Sequence, residues 1–283
     1  MTGTALPGTS LRMARLAGHG DGNLLLVPLD HSVSDGPIAS VEGFHQLVRD
    51  VVAGGADGLV VHKGRARLLD PLLFSTCSLL VHLSASTAHG PDVDAKVLVG
   101  DVEDAVRLGA DAVSVHVNIG SDTESAQLSD LGTVAAACDR WGMPLLAMIY
   151  PRGPRLTRPP SPELVAHVVN VAADLGADLV KTVFVGPVER MAEVVAASPL
   201  PVLVAGGADQ RQSLAEFAGT AMAAGCRGLA VGRRVFASAS PRQTVRELSA
   251  IVHGRPADAE AVGFPAPVAH SSSTPSSALA GAL

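Results

Sequence analysis

The feature that most constrains this chain is a regular alternation. Eight short apolar runs recur, each followed by a longer amphipathic stretch. The runs occupy residues 23–30, 57–63, 78–84, 111–118, 144–150, 178–184, 201–207 and 227–233. Near-continuous Val, Ile and Leu suits parallel strands covered on both faces. The stretches at 40–56, 101–110, 123–142, 161–177, 186–198, 211–226 and 240–254 carry helical periodicity. Ser40 is a candidate N-cap, and Ser161-Pro162 an N-cap followed by proline in the first turn. Residues 66–75 are less plainly helical. Four phrases, GGADGLVV, LGADAVSV, LGADLVKT and AGCRGLAV, read as a helix ending in glycine before a strand. Eight strand–helix units make a (β/α)8 barrel. A doubly wound sheet is the runner-up, but no GxGxxG follows the first run.

The 283 residues allow two domains or one barrel. The alternation fills residues 1–254 as one barrel with a short N-terminal extension. Residues 255–283, rich in Ala, Pro and Ser, lack periodicity and read as a disordered tail. A net charge of −6 gives no basic footprint for nucleic acid. No apolar run is long enough for a membrane span. The first twenty residues lack the apolar segment of a signal peptide. Cys77, Cys138 and Cys226 are odd in number and form no CxxC pair, as expected of reduced thiols in a cytoplasm.

Barrel enzymes place their chemistry at the C-terminal ends of the strands. Here polar residues gather at those ends: Asp30-His31, His62-Lys63, His82, His116 with Asn118, Tyr150 with Arg152, Lys181, Gly206-Gly207 and Gly232-Arg233. Lys181 is one of only three lysines and lies inside an apolar run. Burial disfavours its ammonium, and a neutral amine can form a Schiff base with a carbonyl. A lysine paired with a carboxylate or reaching to solvent fits the residues equally. Tyr150, the only tyrosine, could shuttle a proton or be an amphipathic rim residue. Asp30 could assist proton transfers or cap a turn. The glycine turns after the seventh and eighth runs suit phosphate binding, with Arg233 adding a clamp. His31, Lys63, His116 and Arg152 complete the candidate substrate contacts. A rival reading has His31, His62, His82 and His116 hold Zn²⁺. Another is a non-catalytic barrel that binds a sugar phosphate.

The phrases VPLDHSVSDGPI, VVHKG, LLVHLSAST, LGADAVSVHVNIGS, DRWGMPLLAMIYPRG, PELVAHVVNVAADLGADLVKT, VLVAGG and GLAVGRRVF resemble the archaeal-type class I aldolase family. The likeness runs over residues 10–254. That family includes Schiff-base fructose-bisphosphate aldolases and 2-amino-3,7-dideoxy-heptulosonate synthases. DRWGMPLLAMIYPRG and the HVN segment are closer to the second branch. A sister group there joins dihydroxyacetone phosphate to aspartate semialdehyde, towards 3-amino-4-hydroxybenzoate in secondary metabolism, and HLSAST resembles it. The resemblance implies a Schiff-base lysine at Lys181, a proton-shuttling tyrosine at Tyr150 and the first-strand aspartate at Asp30. It implies phosphate binding at Gly206, Gly207, Gly232 and Arg233, no metal and no organic cofactor. It also implies a homo-oligomer, since members often form decamers. The donor it implies is dihydroxyacetone phosphate or a deoxy-ketohexose phosphate, and fructose-1,6-bisphosphate cleavage is the alternative activity. One departure stands out. Relatives carry a polar stretch after the lysine, where this chain has Val183-Phe184-Val185.

Overall fold

The computed structural model describes residues 7–206 and 212–255. In it eight parallel strands close into a barrel, each hydrogen-bonded to its neighbours in sequence. They are β1 (Leu24–Pro28), β2 (Gly58–His62), β3 (Ser78–His82), β4 (Ala112–Ile119), β5 (Leu145–Pro151), β6 (Leu179–Thr182), β7 (Val202–Ala205) and β8 (Gly228–Ala230). The pairing of Leu24 with Gly228 and of Leu26 with Ala230 closes the ring. Helix α1 (Pro7–Leu16) precedes β1. The crossovers carry α2 (Val41–Ala53), α3 (Lys63–Ala66), α4 (Val102–Arg107), α5 (Glu124–Trp141), α6 (Pro162–Asp174), α7 (Val188–Ala196) and α8 (Leu214–Ala223). After β8 come α9 (Arg233–Phe236) and α10 (Pro241–Val252). The region 66–75 contains the end of α3 and a short 3₁₀ turn, Pro71–Ser75. The expected tail, residues 255–283, lies outside the described residues apart from Arg255. Among the described residues no helix is long and apolar enough to cross a membrane.

Side chains alternate across each strand, so two apolar layers form. Leu24, Leu26, Val60, Leu80, Ala112, Leu146, Leu179 and Leu203 fill the barrel interior. Their neighbours Leu25, Val61, Val81, Val113, Ala147, Val180 and Val204 face the helices. The inward set is small enough to pack without aromatics, which explains a chain with only 3 % of them. Helix α1, which the periodicity did not reveal, inserts fully buried Leu16 into the N-terminal end of the barrel. The three cysteines are buried and unbridged.

The repeated glycine phrases have a common structural use. Gly55, Gly109 and Gly176 take positive φ at helix ends, a conformation glycine enters without steric cost. The aspartate two residues later then bonds the preceding strand. Asp57 accepts from the Leu25 N–H at 2.6 Å, Asp111 from Leu79 at 3.3 Å and Asp178 from Leu145 at 2.9 Å. These carboxylates join strand pairs at the barrel's N-terminal end.

Asp57 does more. It lies 2.9 Å from His19 Nδ1 and 3.2 Å from His253 Nε2, and His253 Nδ1 lies 2.8 Å from Asp21. This network fastens the end of α10 to the barrel. Burial alone would lower His253, but Asp57 and Asp21 outweigh it and hold the ring above its ordinary 6.5. Burial likewise opposes ionised Asp57 and Asp21, yet their histidine partners and backbone donors hold both below the ordinary 3.8. The raised histidine contributes fully below pH 6.5 and loses its contribution as pH rises through its folded value. The lowered carboxylates contribute above 3.8 and lose theirs as pH falls through their folded values. Removing His253 takes one of two histidine partners from buried Asp57 and leaves it His19 and the Leu25 N–H. His253→Ala, which also takes the ring from Asp21, is therefore expected to cost about 1.5–3 kcal/mol in urea unfolding near pH 6. The loss should shrink by pH 9.

Candidate active site

The C-terminal ends of all eight strands surround a cavity of about 550 Å³. The period-2 alternation that fills the interior also aims the rim side chains into it. On β6, Leu179 points inward, so Lys181 does too, one step nearer the rim. Its Cα is in register with Met148 on one side and Leu203 on the other. Lys181 is buried, and its Nζ lies 3.9 Å from the Met148 sulfur. Among the described residues no carboxylate lies within ion-pair distance of this amine. The paired-lysine reading finds no partner among the described residues.

Tyr150 follows Met148 by two positions on β5, so it sits one inward step above the level of Lys181. Its ring is tilted against His116, with centroids 4.9 Å apart. Asn118 donates from Nδ2 to the Asp94 carbonyl, which turns its Oδ1 toward His116 Nε2 at 2.9 Å. His116 therefore donates from Nε2 and keeps Nδ1 as an acceptor. Burial, with Lys96 nearby, holds this ring well below the ordinary imidazole range.

Asp30 follows β1 and lies across the cavity mouth from β5. One oxygen is 3.5 Å from His31 and the other 3.7 Å from His82. Burial alone would raise its carboxyl, but His82, His31 and Lys181 hold it below the usual carboxylate value. Burial pushes His82 down to about 4, so this ring is neutral at physiological pH. His62 Nδ1 is 3.1 Å from the His82 carbonyl, and His82 Nδ1 is 2.8 Å from Ser114. These are scaffold hydrogen bonds. Among the described residues the triad with ligand atoms within 4.8 Å is His19, Asp57 and His253, at the other end of the barrel. The rim imidazoles do not converge in that way.

The turn after β8 is shaped for close approach. A Cβ on Gly232 would meet the His31 ring and the Pro28 carbonyl, both at 2.5 Å. Among the described residues the N–H groups of Gly232, Arg233 and Arg234 find no backbone acceptor. They are donors available to an anion. Gly206 differs. Its N–H donates to Ala230 at 3.3 Å, extending the β7–β8 ladder. Its missing side chain makes room for Val231, 2.6 Å from where a Cβ would stand. Gly207 lies outside the described residues. Gly232→Ala is expected to overpack the turn by about 1–3 kcal/mol. It should also shrink the rise in unfolding temperature given by inorganic phosphate, measured by thermal melts with and without that ion.

Lys63 is the candidate the fold corrects. It opens α3 and turns away from the cavity to Asp104, with its Nζ 2.7 Å from the carboxylate. The strand had already ended at His62, so alternation no longer directed the next side chain. Arg152 lines the cavity, with Nε 2.7 Å from Asp94. Sequence reading missed Lys96, which also lines the cavity from the loop after β3. Its scarcity was the available signal. Of the apolar departure, Val183 faces the cavity, while Phe184 packs edge-on against Phe217 with centroids 5.7 Å apart. Val185 is buried.

The profile of DeoC/LacD family aldolases matches residues 24–238. The chain is 51 % identical over 247 residues to the 2-amino-4,5-dihydroxy-6-oxo-7-(phosphonooxy)heptanoate synthase of Streptomyces griseus, covering 86 % of this chain and 90 % of that one. It is 41 % identical over 248 residues to the 2-amino-3,7-dideoxy-D-threo-hept-6-ulosonate synthase of Halobacterium salinarum, covering 87 % and 92 %. Among solved structures, an archaeal fructose-1,6-bisphosphate aldolase superposes with a TM-score of 0.77 at 28 % identity, over 87 % of this chain and 99 % of that one. Another, at 25 % identity and the same TM-score, over 87 % and 100 %, has its catalytic lysine covalently bound to the carbinolamine intermediate of the substrate.

Proposed function

The chain belongs to the DeoC/LacD aldolase family, and we propose that it joins dihydroxyacetone phosphate to L-aspartate semialdehyde through an imine on Lys181. The observation that carries this reading is a buried, inward-facing lysine with no carboxylate partner among the described residues. The product named for the Streptomyces relative indicates the bond. In a heptanoate with a 6-oxo group and a 4-hydroxyl, an aldol step forms C4–C5. Carbons 5–7 then come from dihydroxyacetone phosphate. Carbons 1–4 come from a four-carbon amino-acid aldehyde, aspartate semialdehyde.

In the proposed sequence, neutral Lys181 attacks the donor ketone, and water leaves to give a protonated imine. A proton leaves the adjacent hydroxymethyl carbon, and its electron pair moves toward the imine nitrogen to form the enamine. Tyr150, having given its own proton to the departing carbinolamine hydroxyl, accepts that proton as the phenolate and returns it to the aldehyde oxygen in the next step. The enamine carbon attacks the aldehyde, whose oxygen takes a proton and becomes the 4-hydroxyl. Water then hydrolyses the new imine and frees Lys181. Ionised Asp30 assists the carbinolamine proton transfers. The Gly232–Arg233 turn holds the phosphate, and His31, His116 and Arg152 line the path of the reacting chain. The scheme needs neither a metal nor an organic cofactor. The reading includes a cytoplasmic homo-oligomer, which the exposed side chains of Val41, Leu68 and Leu72 would suit.

Borohydride reduction in the presence of dihydroxyacetone phosphate tests the reading. The expected result is a reduced adduct on the peptide carrying Lys181. Product should form only when aspartate semialdehyde is added. Fructose 1,6-bisphosphate cleavage at a comparable rate would instead assign the alternative substrate. No adduct with either compound would remove the imine mechanism.

A further inference from the structure

The cavity has two cationic ends, and the proposed donor accounts for one. Arg233, Arg234 and the N–H groups of the β8 turn form the first. The second combines Lys96, on the loop after β3, with Arg152, just after β5. That loop is folded over β4, because the Asp94 carbonyl accepts from both Asn118 and Gln127 at 2.9 Å. In the ring of strands β4 lies opposite β8, and β6 with Lys181 stands midway between them.

The second end is unbalanced. Asp94 pairs with Arg152 at 2.7 Å. Lys96 donates to the Ser86 hydroxyl, and among the described residues no carboxylate comes within ion-pair distance of it. Burial, then the neighbouring Arg152 cation, pushes Lys96 below the ordinary lysine value. One carboxylate, Asp94, against two cations leaves this half-buried end net positive, and a second anion would balance it.

The proposed product supplies that anion. It carries phosphate at carbon 7 and carboxylate at carbon 1, at opposite ends, with the imine carbon beside the phosphate end. Resting on the reading above, we infer that Lys96, with Arg152, clamps the acceptor's α-carboxylate and so selects an amino-acid aldehyde over a plain one. Charge-assisted hydrogen bonds between ammonium or guanidinium and carboxylate suit this role. Lys96 is thus a specificity-determining residue, set apart from the imine chemistry.

The test compares L-aspartate semialdehyde with butanal as acceptors, with dihydroxyacetone phosphate as donor. In Lys96→Met the ratio of kcat/KM for the two aldehydes is expected to fall roughly 10- to 100-fold, through a raised KM for aspartate semialdehyde. Lys96→Arg should keep most of the selectivity. Borohydride trapping of the donor on Lys181 should persist in both variants and reports that their sites are folded. An unchanged ratio in trappable Lys96→Met, or equal losses for both aldehydes, would overturn the clamp alone. Failure of the wild-type protein to trap the donor would take down the aldolase reading and the clamp with it.

Discussion

Lys181→Ala is expected to abolish the imine adduct and lower turnover by on the order of 10⁴-fold or more, the scale seen when a nucleophile is removed. The size follows from the site. No second lysine can substitute, because Lys63 is held by Asp104 and Lys96 sits on the loop over β4. The substitution should leave the barrel standing. Below Lys181 the interior is filled by Leu179, Leu203 and Leu146, none of which depends on the amine. Circular dichroism and phosphate-dependent thermal melts would report a folded, anion-binding protein. Lys181→Arg sharpens the test, since a guanidinium fills much the same space but cannot form the imine at neutral pH. Near-normal activity in either variant would sink the mechanism.

Tyr150→Phe is expected to slow turnover by about 10²–10⁴-fold, the usual worth of a positioned acid–base group. Phenylalanine keeps the ring against His116, whose centroid lies 4.9 Å away, so the variant removes little beyond the hydroxyl. Donor trapping on Lys181 should survive, because imine formation needs the amine more than the phenol. The donor's α-proton should exchange with deuterated water far more slowly than in the wild type. A wild-type exchange rate would remove Tyr150 from proton transfer. Lost trapping would instead move its role to imine formation.

Much of this architecture was legible in the linear chain. The eight apolar runs correspond to the eight barrel strands, with no end moved by more than three residues. Ser40 and Ser161 cap their helices, accepting from Gly43 at 3.1 Å and Leu164 at 3.3 Å. Lys181, Tyr150, Asp30 and His116 converge on one cavity, as their places at strand ends implied. The apolar departure after Lys181 now divides. Val183 touches the cavity, whereas Phe184 anchors the loop against α8 through Phe217. Only Val183 bears directly on the shape of the site. The glycines also divide. Among the described residues the Gly232 turn leaves N–H donors without a backbone acceptor, while the Gly206 N–H donates to Ala230.

The sequence by itself determined the number of strands, their order along the chain and which residues of a strand share a face. Those properties follow from local periodicity, because a strand's pleat repeats every two residues and needs no knowledge of the rest of the chain. Tertiary structure alone decided the fates of Lys63 and Lys96. Lys63 sits beside a strand end and leaves the cavity, because Asp104 on α4, forty-one positions away, holds it. Lys96 belongs to no regular run and joins the cavity, because the loop around it is pinned to Asn118 and Gln127. Outside strands and helices no period sets direction. Side chains there point where distant hydrogen bonds and ion pairs hold the loop, and those partners meet only when the barrel closes.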